Sequence, residues 1–232
     1  MKTNRPLIWG IVITVVGFVA IAVVAFMGLR RSVTAVVPMQ TIPIETIAAG
    51  NKLYEINSSV SEARFKLNET LRGVDTHVVG VTDQLAGQIA FNPDDLTKAQ
   101  VGAITVNAQT LATDNNFRNN TLRNDILLAY VYEYIVFEPT AITNLADSIG
   151  IGETTTFNIV GDLTIRDITI PVTFAVTAQL VSPTQLEGIA TATVARSDFE
   201  LQIPSVPGVA NVDNEVALEF EFMADQVQEN IQ

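Results

Sequence analysis

VGDLTIRDITIPVTFAVTAQL, Val160 to Leu180, is the stretch that decides how this chain folds. In its second half Ile170, Val172, Phe174, Val176, Ala178 and Leu180 share one parity, and Pro171, Thr173, Ala175, Thr177 and Gln179 share the other. A period of two sustained over that length belongs to a half-buried β-strand, apolar on one face and small or polar on the other. The run before it sets Phe157, Ile159, Gly161 and Leu163 against Thr156, Asn158, Val160 and Asp162, a weaker alternation because Val160 intrudes. Thr164 to Thr169 between them is a polar tip suited to a tight reversal. The stretch therefore predicts a long hairpin with one apolar face.

Working outward, the same period recurs along the chain. Phe65 and Leu67 oppose Glu62, Arg64 and Lys66; Leu85, Gly87, Ile89 and Phe91 fall together; Ile104 pairs with Val106 and Ile135 with Phe137. Leu186 to Val194 alternates small residues with threonines. Val216, Leu218, Phe220 and Phe222 close the series, with Glu219 and Glu221 on the other side. About eight strands separated by Gly, Asn, Asp and Pro turn signals predict an all-β domain, a closed antiparallel barrel or a sandwich. One short helical insert is expected, capped at Thr113-Asp114-Asn115 and running through Arg118 to about Leu128. Seven phenylalanines, Phe65, Phe91, Phe137, Phe157, Phe174, Phe220 and Phe222, occupy the apolar parity. Either they fill a core or they line a tunnel, since barrels of about eight strands do both.

The ends differ from the middle. Leu7 to Leu29 is apolar and uncharged, and its 23 residues would span about 34 Å as a helix, enough for a ~30 Å hydrocarbon core. A transmembrane anchor over residues 1–31 is the expectation. A cleaved signal peptide is the rival, disfavoured by the length of the run and the poor cleavage site before Arg30 and Arg31. Basic residues flank both sides, so charge does not orient the anchor. Residues 32–50, with Pro38 and Pro43, read as a spacer, residues 51–226 as the body and 227–232 as a tail. The chain carries −12 overall, and beyond residue 31 nine basic side chains face all 25 acidic ones. Such an acidic body repels phosphate backbones, which argues against a nucleic-acid partner. The absence of cysteine excludes disulfides, thiolate metal sites and cysteine nucleophiles.

Catalytic constellations are scarce. His77, the single histidine, cannot supply a conventional metal cluster. No G-x-S-x-G elbow and no phosphate-binding glycine loop occurs. Asp94-Asp95 after Asn92-Pro93 reads as a turn. Asp162 with Asp167, and Asp213 with Glu215, would bind a cation only if the fold joined them. Three Asn-x-Ser/Thr sequons begin at Asn57, Asn68 and Asn119. No catalytic residue, metal site or cofactor is assigned.

Several of these residues carry a resemblance. The spacing of Gly73, Gly80 and Gly87-Gln88-Ile89-Ala90-Phe91 is similar to the opening of YceI-like domains. The same holds for Leu111 to Arg118, Val160-Gly161-Asp162-Leu163-Thr164-Ile165, Ala195 to Phe199 and Asp213 to Val216, in the family's order, over about Tyr54 to Ala224. The resemblance implies a lipocalin-like antiparallel barrel outside the cytoplasm that encloses a polyisoprenoid or isoprenoid quinone. Phe65, Phe91, Phe137, Phe157, Phe174, Leu218 and Phe220 would then line the tunnel. Arg118, Arg196 and Asp198 would contact a ligand head or brace loops. The family's R-D-x-H-L run is Arg118-Asn119-Asn120-Thr121-Leu122 here, and the family's glycine after the Asp-Phe pair is Glu200. The leading expectation is a non-enzymatic, single-pass membrane-anchored carrier whose partners are the lipid and the membrane. The alternative is a surface interaction or stress-response module with a filled barrel.

Overall fold

The structure, a computed structural model, describes Met39 and residues 41–228. The expected anchor and the last residues of the expected tail lie outside the described residues. Among the described residues no helix is long and apolar enough to cross a membrane.

Thirteen strand segments form one antiparallel sheet. β1 (Lys52–Ile56) and β2 (Glu62–Leu71) are two parts of one bent strand. β3 (Val74–Thr82), β4 (Leu85–Ala86) and β5 (Gln88–Asn92) make the next, returning antiparallel to them. β6 (Asp95–Val101) and β7 (Ile104–Asn107) make the third. β8 (Tyr134–Thr143), β9 (Thr154–Ile165), β10 (Ile168–Ser182) and β11 (Gln185–Ala195) follow in order, each paired with its predecessor. β12 (Val209–Ala210) adds a short pairing to the end of β2. β13 (Glu215–Gln226) pairs with β11 on one side and with both β2 and β1 on the other. The last strand thus meets the first, and the sheet closes into a barrel of eight long strands, as the sequence spacing suggests.

The Val160–Leu180 hairpin is the longest ladder, in register from Ile165–Ile168 to Thr154–Gln179. Its reversal at Arg166-Asp167 holds Arg166 at φ +60°. Along β10 the even residues are buried or half-buried, whereas Pro171, Thr173, Ala175 and Thr177 face solvent. Alternation of burial matches alternation of polarity, so any slip by one residue would expose the whole apolar set.

Connections alternate between two poles, as they must in a meander. At one pole lie the Arg72-Gly73 turn, residues 108–133, the Arg166-Asp167 turn and residues 196–214. At the other lie Pro93-Asp94, residues 144–153, Pro183-Thr184, the start of β1 and the end of β13. This second pole is plugged. Tyr54 stacks on Phe91 with ring centroids 4.5 Å apart, and its hydroxyl donates to the Pro183 carbonyl at 3.0 Å. Leu96, Ile149 and Leu180 are buried there as well. The backbone N–H of Leu96 donates to Asp147 and that of Ile149 to Pro93, tying the loops across the plug.

Residues 41–50, read from sequence as spacer, lie along the outer wall. The N–H groups of Ile44 and Ala48 donate to the side-chain oxygens of Gln88 at 3.0 Å and Gln100 at 2.8 Å.

Candidate functional site

Between the plug and the opposite pole the barrel encloses a cavity of about 650 Å³. Its wall is built from the inward parity of the long strands: Phe65, Phe137, Phe157, Phe174, Leu218 and Phe220 all line it, joined by Phe199 and Phe222. Phe137 and Phe174 meet edge to face at 4.9 Å, and Phe220 stacks on Phe222 at 5.4 Å. Phe91 is the exception among the residues expected at the lining. It belongs to the plug, 3% exposed against Tyr54, and forms no part of the cavity wall.

Why the lumen stays open is visible in the ladder. Gly80 sits directly opposite Phe65, and Gly188 directly opposite Phe222. A Cβ at Gly80 would stand 2.0 Å from the Phe65 ring, and one at Gly188 2.7 Å from the Phe222 ring. The missing methyl groups let both rings lie against the neighbouring strand instead of projecting inward. Sequence reading marked Gly80 by spacing but not Gly188; the work of both is to give the phenyl rings somewhere to lie.

The open pole is shaped by the insert and the 196–214 loop. α1 (Asn116–Thr121) begins at Asn115, whose side-chain oxygen accepts from the N–H groups of Phe117 at 2.9 Å and Arg118 at 3.2 Å. Two of the helix's N-terminal donors are thereby satisfied, which steadies so short a helix. A π-helical turn, Leu122–Ile126, continues it. Asn119, standing where the family carries aspartate, is buried; its amide oxygen accepts from the Thr113 N–H at 2.7 Å and hydroxyl at 2.8 Å. Thr121, at the family's histidine position, lines the cavity.

Arg118 also borders the cavity and donates to Glu69 at 2.7 Å and to Asp114 at 2.7 Å. Glu69 is 7% exposed and lines the cavity, a buried carboxylate at the edge of an apolar space. Sequence reasoning passed over it. The available signal was its parity, since Glu69 shares the inward face of β2 with Phe65 and Leu67. Arg196 lines the cavity too, but its guanidinium is spent on the carbonyls of Asp213 and Leu201, both at 3.0 Å, and so braces the 196–214 loop. Asp198 is exposed on a 3₁₀ turn, Arg196–Phe199, and lies outside the lining. Glu200 ends that turn at φ +51°, a conformation that glycine adopts at little cost.

The other polar candidates stay dispersed. His77 is paired with Asn68 on the β2–β3 ladder at 3.0 Å, and Asp94 sits in a turn made by the Asn92 side chain. Asp213 accepts from the backbone and side chain of Asn68. Among the described residues no group of three His, Cys, Asp or Glu side chains is placed to hold a metal ion. The arrangement offers apolar enclosure with a few polar side chains, Glu69, Arg118, Thr121 and Arg196, toward its open end.

A family model of the YceI-like domain matches residues 54–224, well over half of the chain, so the chain belongs to the YceI-like family. Several solved structures share its fold. A polyisoprenoid binding domain from Saccharophagus degradans implicated in plant cell wall breakdown aligns with a TM-score of 0.59 at 13% identity, covering 75% of this chain and 98% of that one. BcnA from Burkholderia cenocepacia aligns with a TM-score of 0.56 at 19% identity, covering 72% and 98%. The YCEI protein of Campylobacter jejuni aligns with a TM-score of 0.52 at 17% identity, covering 65% and 85%. At such identities the likeness speaks for the fold alone. Comparison with curated protein sequences gives no match.

Proposed function

We propose that this chain is a binding protein for a long apolar lipid of the isoprenoid class, held in the barrel as cargo or in reserve, with no catalytic step. The observation that carries the reading is the apolar cavity of about 650 Å³, open at one pole and plugged at the other. Its volume sits within the roughly 300–1,000 Å³ common for ligand sites. Each buried CH₂ equivalent contributes about 0.8 kcal/mol, so a chain of several isoprene units needs few polar contacts to be held. The S. degradans domain of the same fold is a polyisoprenoid binding domain, which supports the choice of lipid.

The reading includes a membrane anchor over Leu7–Leu29 and a body outside the cytoplasm. The uncharged apolar run and its length support the anchor, and likeness to the YceI-like family supports the placement of the body. A filled barrel acting only through its surface has no use for the cavity.

Organic extraction and mass spectrometry of the purified chain test the proposal, together with titration by a long-chain quinone. Stoichiometric lipid or saturable uptake is expected. No lipid after expression in an isoprenoid-rich host, with no uptake of added quinone, would overturn it.

A further inference from the structure

The open pole differs from the rest of the surface in two independent ways. The four most exposed large apolar side chains among the described residues are Tyr130 at 80%, Phe117 at 79%, Val131 at 74% and Val74 at 65%. All four lie in, or immediately beside, the loops of that pole. Exposed aromatic and branched residues cost solvation, and their concentration at one pole marks a surface that meets something apolar. Phe117 makes the link to the site, because it both lines the cavity and stands out into solvent. It is carried on the capped turn of α1, which the Arg118–Glu69 bridge pins to the barrel.

Charge is the second difference. From residue 32 onward the chain contains six arginines, and five of them, Arg72, Arg118, Arg123, Arg166 and Arg196, sit in the four loops of the open pole. Against seven acidic residues there, the loops balance to −2. The remaining residues from 32 onward hold four basic and eighteen acidic side chains, a balance of −14. An acidic body is repelled by an anionic or weakly anionic bilayer, and repulsion is least at this pole. The field of the protein therefore turns the open pole toward a membrane, and the exposed apolar rim can then enter the interface.

We propose that the open pole docks on a lipid bilayer, with Tyr130, Phe117, Val131 and Val74 seated at the headgroup–acyl boundary, so that lipid passes between bilayer and cavity without crossing water. Aromatic and aliphatic side chains partition to that depth, and the exposed Arg72 near Val74 can reach the headgroups. With the loops near neutrality, docking rests on apolar insertion and needs no anionic lipid. The inference stands on the rim and the charge distribution; it goes beyond the lipid-binding proposal and can fail separately from it.

The absence of cysteine in the full chain permits a direct test. A single environment-sensitive dye is placed on the rim through Val131→Cys, or at the plugged pole through Ile151→Cys, which is also exposed. Each labelled full-length chain is mixed with phosphatidylcholine vesicles containing brominated acyl chains. The rim dye is expected to shift to the blue and to be quenched, and the Ile151→Cys dye to show neither change. Adding Tyr130→Asp and Val74→Asp, neither of which touches the cavity, should weaken rim quenching by roughly tenfold or more, since two inserted apolar groups are lost. Quinone uptake without vesicles should be unchanged by that pair. Equal responses at the two poles, or quenching only at the plugged pole, would overturn docking. Concentration-dependent self-association that shields the rim, without a vesicle response, would assign the surface to a second copy instead. Loss of quinone uptake in the parent chain would sink the lipid-binding proposal and leave the vesicle result standing.

Discussion

Replacing Phe91 and Phe174 by alanine should separate the plug of the barrel from its wall. Both phenylalanines share the inward parity, yet their surroundings differ. Phe91 is enclosed, stacked on Tyr54 at 4.5 Å. Its truncation loses the buried ring and leaves a closed void, a change that costs about 4 kcal/mol. Phe174 is half-buried, with one side against Phe137 at 4.9 Å and the other facing the cavity. No new closed void forms there. Roughly half of a fully buried side chain's transfer energy, about 1 kcal/mol, is lost, and an edge-to-face pair adds about 1 kcal/mol more. The expected costs are therefore about 4 and about 2 kcal/mol, read from urea unfolding followed by circular dichroism. Quinone titration should show unchanged uptake for the folded Phe91→Ala protein and altered affinity for Phe174→Ala. Equal destabilisation by the two, or an uptake defect confined to Phe91→Ala, would refute the division into plug and wall.

Glu200→Gly should stabilise the chain by up to about 1 kcal/mol, because the left-handed backbone at this position suits glycine; a denaturant midpoint that falls instead would argue against strain there. Arg118→Leu should cost about 3 kcal/mol by leaving Glu69 buried without its cation, and the double change Arg118→Leu with Glu69→Leu should recover part of the loss in the same unfolding assay. The Lys66 ammonium, with Arg64 behind it, holds Glu219 below the usual glutamate range against the opposing effect of burial. The amides of Gln185 and Asn57 likewise hold Asp225 below the usual aspartate range. A carboxylate depressed by folding contributes stability that is complete above its unfolded pKa and lost as the pH falls through the folded one. Stability should therefore start to drop below about pH 4.5 and continue downward. Lys66→Met should make this acid limb shallower in unfolding measurements made across that range.

Parity made the barrel legible. Every strand from β8 to β13 that alternates in sequence alternates in burial, because a sheet with one wet face has no other way to place its apolar residues. Depth along the barrel was not legible. Phe91 and Phe174 are alike in parity, and only the tertiary path of β1 against β5 puts Tyr54 over Phe91 and seals that end. Asp198 stands in a motif shared with the family, but a motif does not say which way a 3₁₀ turn faces, and this side chain faces solvent. Glu69 was readable and went unread: a carboxylate on the apolar parity of β2 announces a buried charge that needs a partner. Ile203, Val206, Val209 and Val212 also line the cavity. They recur at every third residue of the 196–214 connection, a spacing that is not the alternation of a strand, so strand parity does not assign them to the lumen.

Alternation of the connections has a consequence for how such a barrel can diversify. Every segment that frames the mouth is an internal loop, joined to a strand at each end, whereas β1 starts and β13 finishes beside the plug. Lengthening a loop costs only about 0.6 kcal/mol for each doubling. Selectivity at the entrance can therefore drift through insertions in four covalently closed spans while the strands below keep their register. Additions after β13 emerge at the far side and leave the entrance untouched, whereas the chain just before β1 runs back along the outer wall. Selection can thus act on what enters the barrel while the strands and the plug stay as they are.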